Sequence, residues 1–321
     1  MKRILLIKTS SLGDVIHNCP VIHDIHKHFV DAHIDWVVEE SFADIPRMHA
    51  GVNQVYTVAM RRWRKQLFKQ KTWQEISQFK QQIQQNQYDI IIDTQGLLKS
   101  ALISKLAKGV KHGYDKASIR EPIASNFYDV THACSYQQHA VTRNRTLVAL
   151  SLGYTPPTDA PNYGLSAVKL ASVPAGKYVI GLHGTSKESK LWPTLHWINL
   201  GKALAEHGYQ LVLPWASAEE ESRANVIKAA LSNATVLDKL TIGQLAVVIN
   251  HTQAAVGVDT GLSHLAAALD IPTIAIYTDT NPALTGVMAG AHQPAVNLGD
   301  IAQVPSVDEV MNTLLTFKNN A

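Results

Sequence analysis

Strand-like and helix-like patterns alternate along the chain from its first residues. Arg3 to Lys8 encloses the unbroken apolar run Ile4-Leu5-Leu6-Ile7, the signature of a strand covered on both faces. From about Asp14 to Phe29, Val15, Cys19, Ile22 and Phe29 fall on one helical stripe. Pro20 lacks the N–H that would bond four residues back, which predicts a kink or a broken first turn there. Ile34 to Val38 and Gln54 to Ala59 read as strands, Trp73 to Asn86 as a glutamine-rich helix, and Asp89 to Ile92 as a further strand.

The second half has the same grammar. Tyr178 to Leu182, Tyr209 to Leu213, Ala254 to Val258 and Thr273 to Tyr277 are strand-like. Helices are expected from Trp192-Pro193 onward, with Pro193 near the first helical position, and over Glu219 to Leu231, around His264 to Leu269 and from Val307 to Phe317. The proline-rich stretch Thr155 to Pro161 separates the halves like a linker. Repeated βα units on both sides of it predict an α/β protein of two Rossmann-like, doubly wound domains, 1–165 and 166–321. Ligands of such sheets bind beyond the carboxyl ends of the strands, so the residues following each strand are the place to look for chemistry.

Composition adds little except exclusions. The formal charge of +3 does not by itself argue for nucleic acid, and none is expected as a partner. Cys19 and Cys134 form no C-x-x-C pair and read as reduced, inert thiols. The opening apolar run is too short for a signal peptide, and no stretch approaches the ~18 apolar residues of a membrane span. A cytoplasmic protein, touching membranes peripherally if at all, is the expectation.

Five places carry candidate chemistry. After the first strand comes Lys8-Thr9-Ser10-Ser11-Leu12-Gly13-Asp14, where Asp14 suits either a helix N-cap or a general base for an acceptor hydroxyl. Asp259-Thr260-Gly261-Leu262-Ser263-His264 opens a helix whose N–H groups can receive a phosphate, although such a sequence also heads ordinary helices. The hydroxyl-rich segment with Thr185, Ser186 and Lys190 can hold a diphosphate and neutralise a leaving group; alternatively it is a solvated loop. Glu219-Glu220-Glu221 after Leu213-Pro214-Trp215 offers an acid for ribose hydroxyls, or simply an acidic first turn.

The fifth place is Arg61-Arg62-Trp63-Arg64-Lys65, with Arg120 standing apart; so dense a patch suits phosphates, carboxylate sugars or an acidic membrane surface. There is no G-x-G-x-x-G, no Walker loop and no Asp-x-Asp, so neither a dinucleotide nor a sugar-nucleotide metal is called for. His23, His26 and His28 point to different sides of a helix at ~100° per residue, which argues against a shared ion.

Taken in order, Ile7 to His17, Asp35 to Pro46, Arg61 to Lys65, Asp93 to Lys99, Gly109 to Asp115, Arg120 to Tyr128, Lys190 to Pro193, Leu213 to Trp215 and Val258 to Pro272 resemble the ADP-heptose-using glycosyltransferases of lipopolysaccharide core assembly, nearly end to end. The resemblance implies a GT-B architecture with two domains facing a cleft, the N-terminal one for acceptor and the C-terminal one for donor. It implies inverting, metal-independent transfer of heptose from ADP-heptose to the inner Kdo of Kdo2-lipid A, at the cytoplasmic face of the inner membrane and without a cofactor. The family's base falls on Asp14, and its donor residues fall on Thr185, Ser186, Lys190, Glu220, Leu240, Asp259, Thr260, Gly261 and His264, with Lys190 also serving the leaving group. Arg61, Arg62, Arg64, Lys65 and Arg120 are left to hold acceptor anions. Ser186 replaces a common threonine and Leu240 a methionine-like residue. A heptosyltransferase with another acceptor, a GT-B-fold nucleotide-sugar epimerase and a non-catalytic binder of lipopolysaccharide precursors remain as alternatives.

Overall fold

The computed structural model describes residues 1–167 and 172–319. The chain divides into two units, Met1–Leu165 and Ser166–Ala321. The first carries β1 (Arg3–Ile7), β2 (His33–Glu39), β3 (Gln54–Val58), β4 (Gln87–Asp93), β5 (Lys108–Tyr114) and β6 (Val130–His132) in the order β3-β2-β1-β4-β5-β6. The second carries β7 (Tyr178–Leu182), β8 (Gln210–Leu213), β9 (Ala234–Val236), β10 (Ala254–Val258), β11 (Thr273–Ile276) and β12 (Ala295–Leu298) in the order β12-β11-β10-β7-β8-β9. Every neighbouring pair is parallel. Read from its own first strand, each sheet has the same doubly wound order, with the winding reversing beside β1 in one and β7 in the other.

The apolar run of β1 is completely buried because helices cover both faces of the sheet. Its register, Ile4 against Ile90 through Ile7 against Asp93, stacks one aliphatic row on another and delivers Asp93 to the carboxyl edge. Leu5, Ile7, Val37, Tyr56 and Ile91 share a core with Phe79 and Ile83 of the helix Gln70–Gln84. In the second unit, Val179, Leu211, Val256 and Ile274 pack with Trp192, Trp197 and Leu200. Met311 and Leu314 of the helix Val307–Asn319 close that core.

Pro20 acts more strongly than a kink. One helix, Leu12–Ile16, ends before it, and a second, Pro20–His28, starts with Pro20 at its first position. Pro193, expected near the first helical position, is the N-cap residue of Thr194–Glu206. The stretch Thr155 to Pro161 is not a free linker. Buried Arg145 pairs with Asp24 at 2.7 Å and also donates to the backbone oxygen and the carboxylate of Asp159 at 2.6 and 2.8 Å, tying the proline-rich segment onto the first unit.

Several elements have no clear periodicity in the sequence. β5 carries Lys108, Lys111 and His112, and the helix Ala140–Leu152 buries Asn144 and Arg145 on its packed side. Those polar residues are inside because distant partners satisfy them: Asn144 Oδ1 accepts from the Tyr114 hydroxyl at 3.0 Å, and Arg145 has Asp24. A residue's hydrophobicity does not announce such partners. Among the described residues no helix is long and apolar enough to cross a membrane. Cys19 and Cys134 are both free and buried.

Candidate active site

In the first unit, the loops after β1 and β4 are clamped together at the switch point. Gln95 Oε1 accepts from the backbone N–H groups of Thr9 and Ser10, each at 2.9 Å. Buried Lys8 donates to the Thr94 carbonyl at 2.8 Å, and burial holds its pKa below the usual lysine value. Asp93 accepts from the N–H groups of Gln95 and Gly96 and from the Tyr128 hydroxyl, at 2.9, 3.1 and 2.8 Å. Gly96 has φ of +66°, a left-handed conformation that lets the chain turn under Asp93.

Asp14 is not the N-cap. The cap is Ser11, and Asp14 sits three residues on, its Oδ2 accepting from the Ser11 N–H at 2.8 Å and the Ser11 hydroxyl at 2.9 Å. This fixes the half-buried carboxylate at the sheet's carboxyl edge. It lines a polar cavity of about 70 Å³ with Lys8, Tyr114, Arg120, Tyr136 and Arg143. Sequence reading found Asp14 and Arg120 but not Arg143. The Arg143 guanidinium lies over the rings of Tyr136 and Tyr114, 4.4 and 5.1 Å from their centroids, and its buried Nε has no hydrogen-bond partner. Its only sequence signal was an arginine on a helix that the periodicity did not reveal.

The basic run divides. Arg61 and Arg64, with Met60, Trp63, Leu67 and Lys99, line an open cleft of about 510 Å³. Lys99 also donates to Ser10 Oγ at 2.9 Å, connecting this cleft to the loop that carries Asp14. Arg62 instead turns back to Glu40 and Glu75, at 2.9 and 2.8 Å, which raise its already high pKa. Lys65 is exposed beside them.

In the second unit the donor candidates follow β7, β8, β9 and β10, four adjacent strands, so parallel pairing alone brings them to one edge. Lys190 Nζ donates to Asp259 Oδ2 at 2.6 Å, and the Thr185 hydroxyl donates to the Asp259 carbonyl at 2.9 Å. Thr260 is the N-cap of the helix Gly261–Ala268, in which His264 is buried. Ser189, which the sequence reading did not single out, donates to Asp279 after β11 at 2.6 Å.

Of the three adjacent acids, Glu220 is the one that folds back. Its Oε2 accepts from the Ala216 N–H at 2.7 Å, and the Ser217 hydroxyl accepts from the Glu220 N–H at 3.3 Å. A Cβ at position 184 would stand 2.4 Å from Glu220 Oε1, so Gly184 is what lets this carboxylate lie against the loop after β7. Ser186 is exposed, and Leu240 is half-buried between β9 and the helix Ile242–Asn250. His183 is fully buried against Trp197 with neither ring nitrogen hydrogen-bonded, and burial, with Arg223 nearby, pushes its pKa down to about 4.

Two parallel doubly wound sheets, each with polar and charged loops at its switch point, make up a GT-B-type fold. The profile of glycosyltransferase family 9 (heptosyltransferase) matches residues 76–313. Lipopolysaccharide heptosyltransferase 1 of Pseudomonas aeruginosa is 45% identical over 286 residues, covering 88% of this chain and 81% of that protein. Its counterpart from Escherichia coli K12 is 45% identical over 287 residues, covering 88% and 90%. The structure of E. coli heptosyltransferase WaaC with ADP superposes with a TM-score of 0.91 at 40% identity, covering 99% of this chain and all of that one. WaaC with ADP-2-deoxy-2-fluoro heptose gives 0.86 at the same identity and coverage. The chain belongs to glycosyltransferase family 9, the heptosyltransferases.

Proposed function

We propose that this enzyme transfers heptose from ADP-heptose to the inner Kdo of Kdo2-lipid A by one inverting displacement. The first unit takes the acceptor and the second the donor. Asp14 removes the proton from a Kdo hydroxyl as that oxygen bonds to the anomeric carbon, and the bond from that carbon to the diphosphate oxygen breaks. Lys190 and the N–H groups around Thr260 and Gly261 receive the charge of the departing ADP. Thr185, Ser186, Asp259 and His264 position the donor, while Glu220 and Leu240 border the nucleoside. Arg143 and Arg120 take a Kdo carboxylate beside Asp14, and Arg61, Arg64 and Lys65 take lipid A phosphates at the cytoplasmic face of the inner membrane.

The observation that carries the donor half is the ion pair of Lys190 with Asp259, 2.6 Å across two adjacent strand ends at a switch point. A lysine held there by a carboxylate is aimed before any diphosphate arrives. The test is to incubate the enzyme with ADP-heptose, with and without Kdo2-lipid A, following ADP release and lipid mass. ADP release and a lipid mass gain of one heptose, both only with acceptor, are expected. Donor turnover without acceptor points to an isomerase, and transfer only to a longer core oligosaccharide points to a later step of assembly. Transfer is also expected to persist in EDTA.

A further inference from the structure

Between Met60 and Gln74 the chain carries Arg61, Arg62, Arg64, Lys65, Lys69 and Lys71 and no acid. In this stretch, on the turn between the helices Met60–Trp63 and Gln70–Gln84 and in the first turn of the second helix, large apolar side chains stand outside the core. Phe68 is 106% exposed, Trp73 58% and Leu67 47%. Apolar side chains scattered singly over a surface need no explanation, but Leu67 and Phe68 share one short turn, Trp73 stands in the first turn of the following helix, and cations flank all three.

The turn is also built. Trp73 Nε1 donates to the Leu67 carbonyl and the Thr72 hydroxyl to the Gln66 carbonyl, each at 2.8 Å, while the Lys69 N–H donates to Gln66 at 3.0 Å. Two tip carbonyls therefore have partners inside the turn, and the indole N–H is satisfied as well. Each carbonyl paired in this way loses less on leaving water, which is what entry into a lipid surface demands. Glu75 offsets part of this charge, accepting from Arg62 and from Trp63 Nε1 at 2.8 and 2.7 Å with Lys71 in its field, and the remaining cations of the stretch outnumber it.

We propose that the turn Gln66–Lys69, with Phe68 at its tip, inserts into the headgroup region of an anionic bilayer while Lys65, Lys69 and Lys71 bind the lipid charges around it. Insertion of one aromatic side chain alone is weak. Added to several cations near an anionic surface, it gives reversible peripheral binding. Charge complementarity selects a bilayer over a second copy of this chain, whose matching surface would carry the same cations. The turn follows β3, at the edge where the cleft of Arg61, Arg64 and Lys99 opens, so a docked tip presents that cleft to the lipid surface. This deepens the reading of a membrane-borne acceptor and rests on it.

The test uses the full chain with vesicles of phosphatidylethanolamine and phosphatidylglycerol at seven to three, and with phosphatidylcholine vesicles as the neutral control. Wild type is expected to sediment with the anionic vesicles only. Phe68→Ser should lower that partitioning by roughly tenfold at constant salt, and Lys69→Glu/Lys71→Glu should abolish it. Heptose transfer to a soluble, deacylated acceptor should be unchanged in Phe68→Ser, which separates docking from catalysis; transfer to vesicle-embedded acceptor should fall. Unchanged vesicle binding by Phe68→Ser overturns the proposal. So does a concentration-dependent dimer that Phe68→Ser dissociates without altering vesicle binding, since that assigns the tip to a second copy. Loss of transfer in wild type with the soluble acceptor counts against the proposed reaction instead, leaving the vesicle arm to decide on docking.

Discussion

Lys190 Nζ and Asp259 Oδ2 stand 2.6 Å apart, with their side chains 20% and 15% exposed, although 69 residues separate them along the chain. A pair so partly screened has two consequences. Each group is oriented before ligand binds, and removal of either leaves the other without its partner.

Lys190→Ala and Asp259→Ala are therefore both expected to weaken ADP-heptose binding, each by about 1.5–3 kcal/mol, or roughly ten- to a hundredfold. Because the residues act as a unit, the double variant should lose clearly less than the sum. Titration calorimetry reads both effects. Unchanged affinity in both single variants removes the pair from the donor site.

Asp14→Asn keeps an oxygen for Ser11 to donate to, so the helix start survives while the carboxylate proposed as base is lost. We expect kcat to fall by at least ~10² with little change in donor affinity or in thermal unfolding. Near-normal turnover would leave Asp14 as part of a helix cap and nothing more.

Arg143→Met should raise the acceptor KM by about tenfold or more and leave the donor KM alone, as expected for losing a charged contact. Arg143→Lys should rescue poorly, since an ammonium neither stacks between Tyr114 and Tyr136 nor offers a planar fork. Steady-state kinetics with each substrate varied in turn would expose a purely structural role as equal changes in both constants, or as none.

Within the basic run, Arg61→Ala/Arg64→Ala should raise the acceptor KM and reduce its dependence on salt. Arg62→Ala should act mainly by releasing Glu40 and Glu75, whose carboxylates it now holds. An acceptor KM that responds as strongly to Arg62→Ala as to the double variant would contradict this division.

Stability should fall in mild acid. The His183 imidazole is buried neutral with a pKa of about 4, against an ordinary value of 6.5, so the unfolded chain binds more protons between those values. Its contribution is whole above about pH 6.5 and declines as the pH drops toward 4. His49, likewise pushed down to about 4 by burial, works in the same direction. Moving from pH 7 to pH 5 should remove roughly 2 kcal/mol for His183. Urea unfolding at the two pH values, repeated on His183→Phe, should show a smaller pH dependence in the variant.

The alternation of short apolar runs with helical stripes was enough to determine two doubly wound parallel sheets, because strands buried on both faces and helices packed over them leave those periods in any sequence. Parallel topology then made the loops at Asp14, Lys190, Glu220 and Asp259 legible as candidate site loops, since all strands of one sheet end at the same edge of it. Only the tertiary structure decided which polar groups meet there. It seated Asp14 in a cap made by Ser11, turned Arg62 away to Glu40 and Glu75, and made Glu220 the one acid of three to lie against Gly184. It also brought Arg143 between two tyrosines and into the cavity of Asp14, from a helix whose buried Asn144 and Arg145 had hidden its hydrophobic face. Hydrophobic period is a local property, visible within a few turns of chain. The partner of a polar side chain is fixed by sheet register and helix packing, which join residues far apart in sequence.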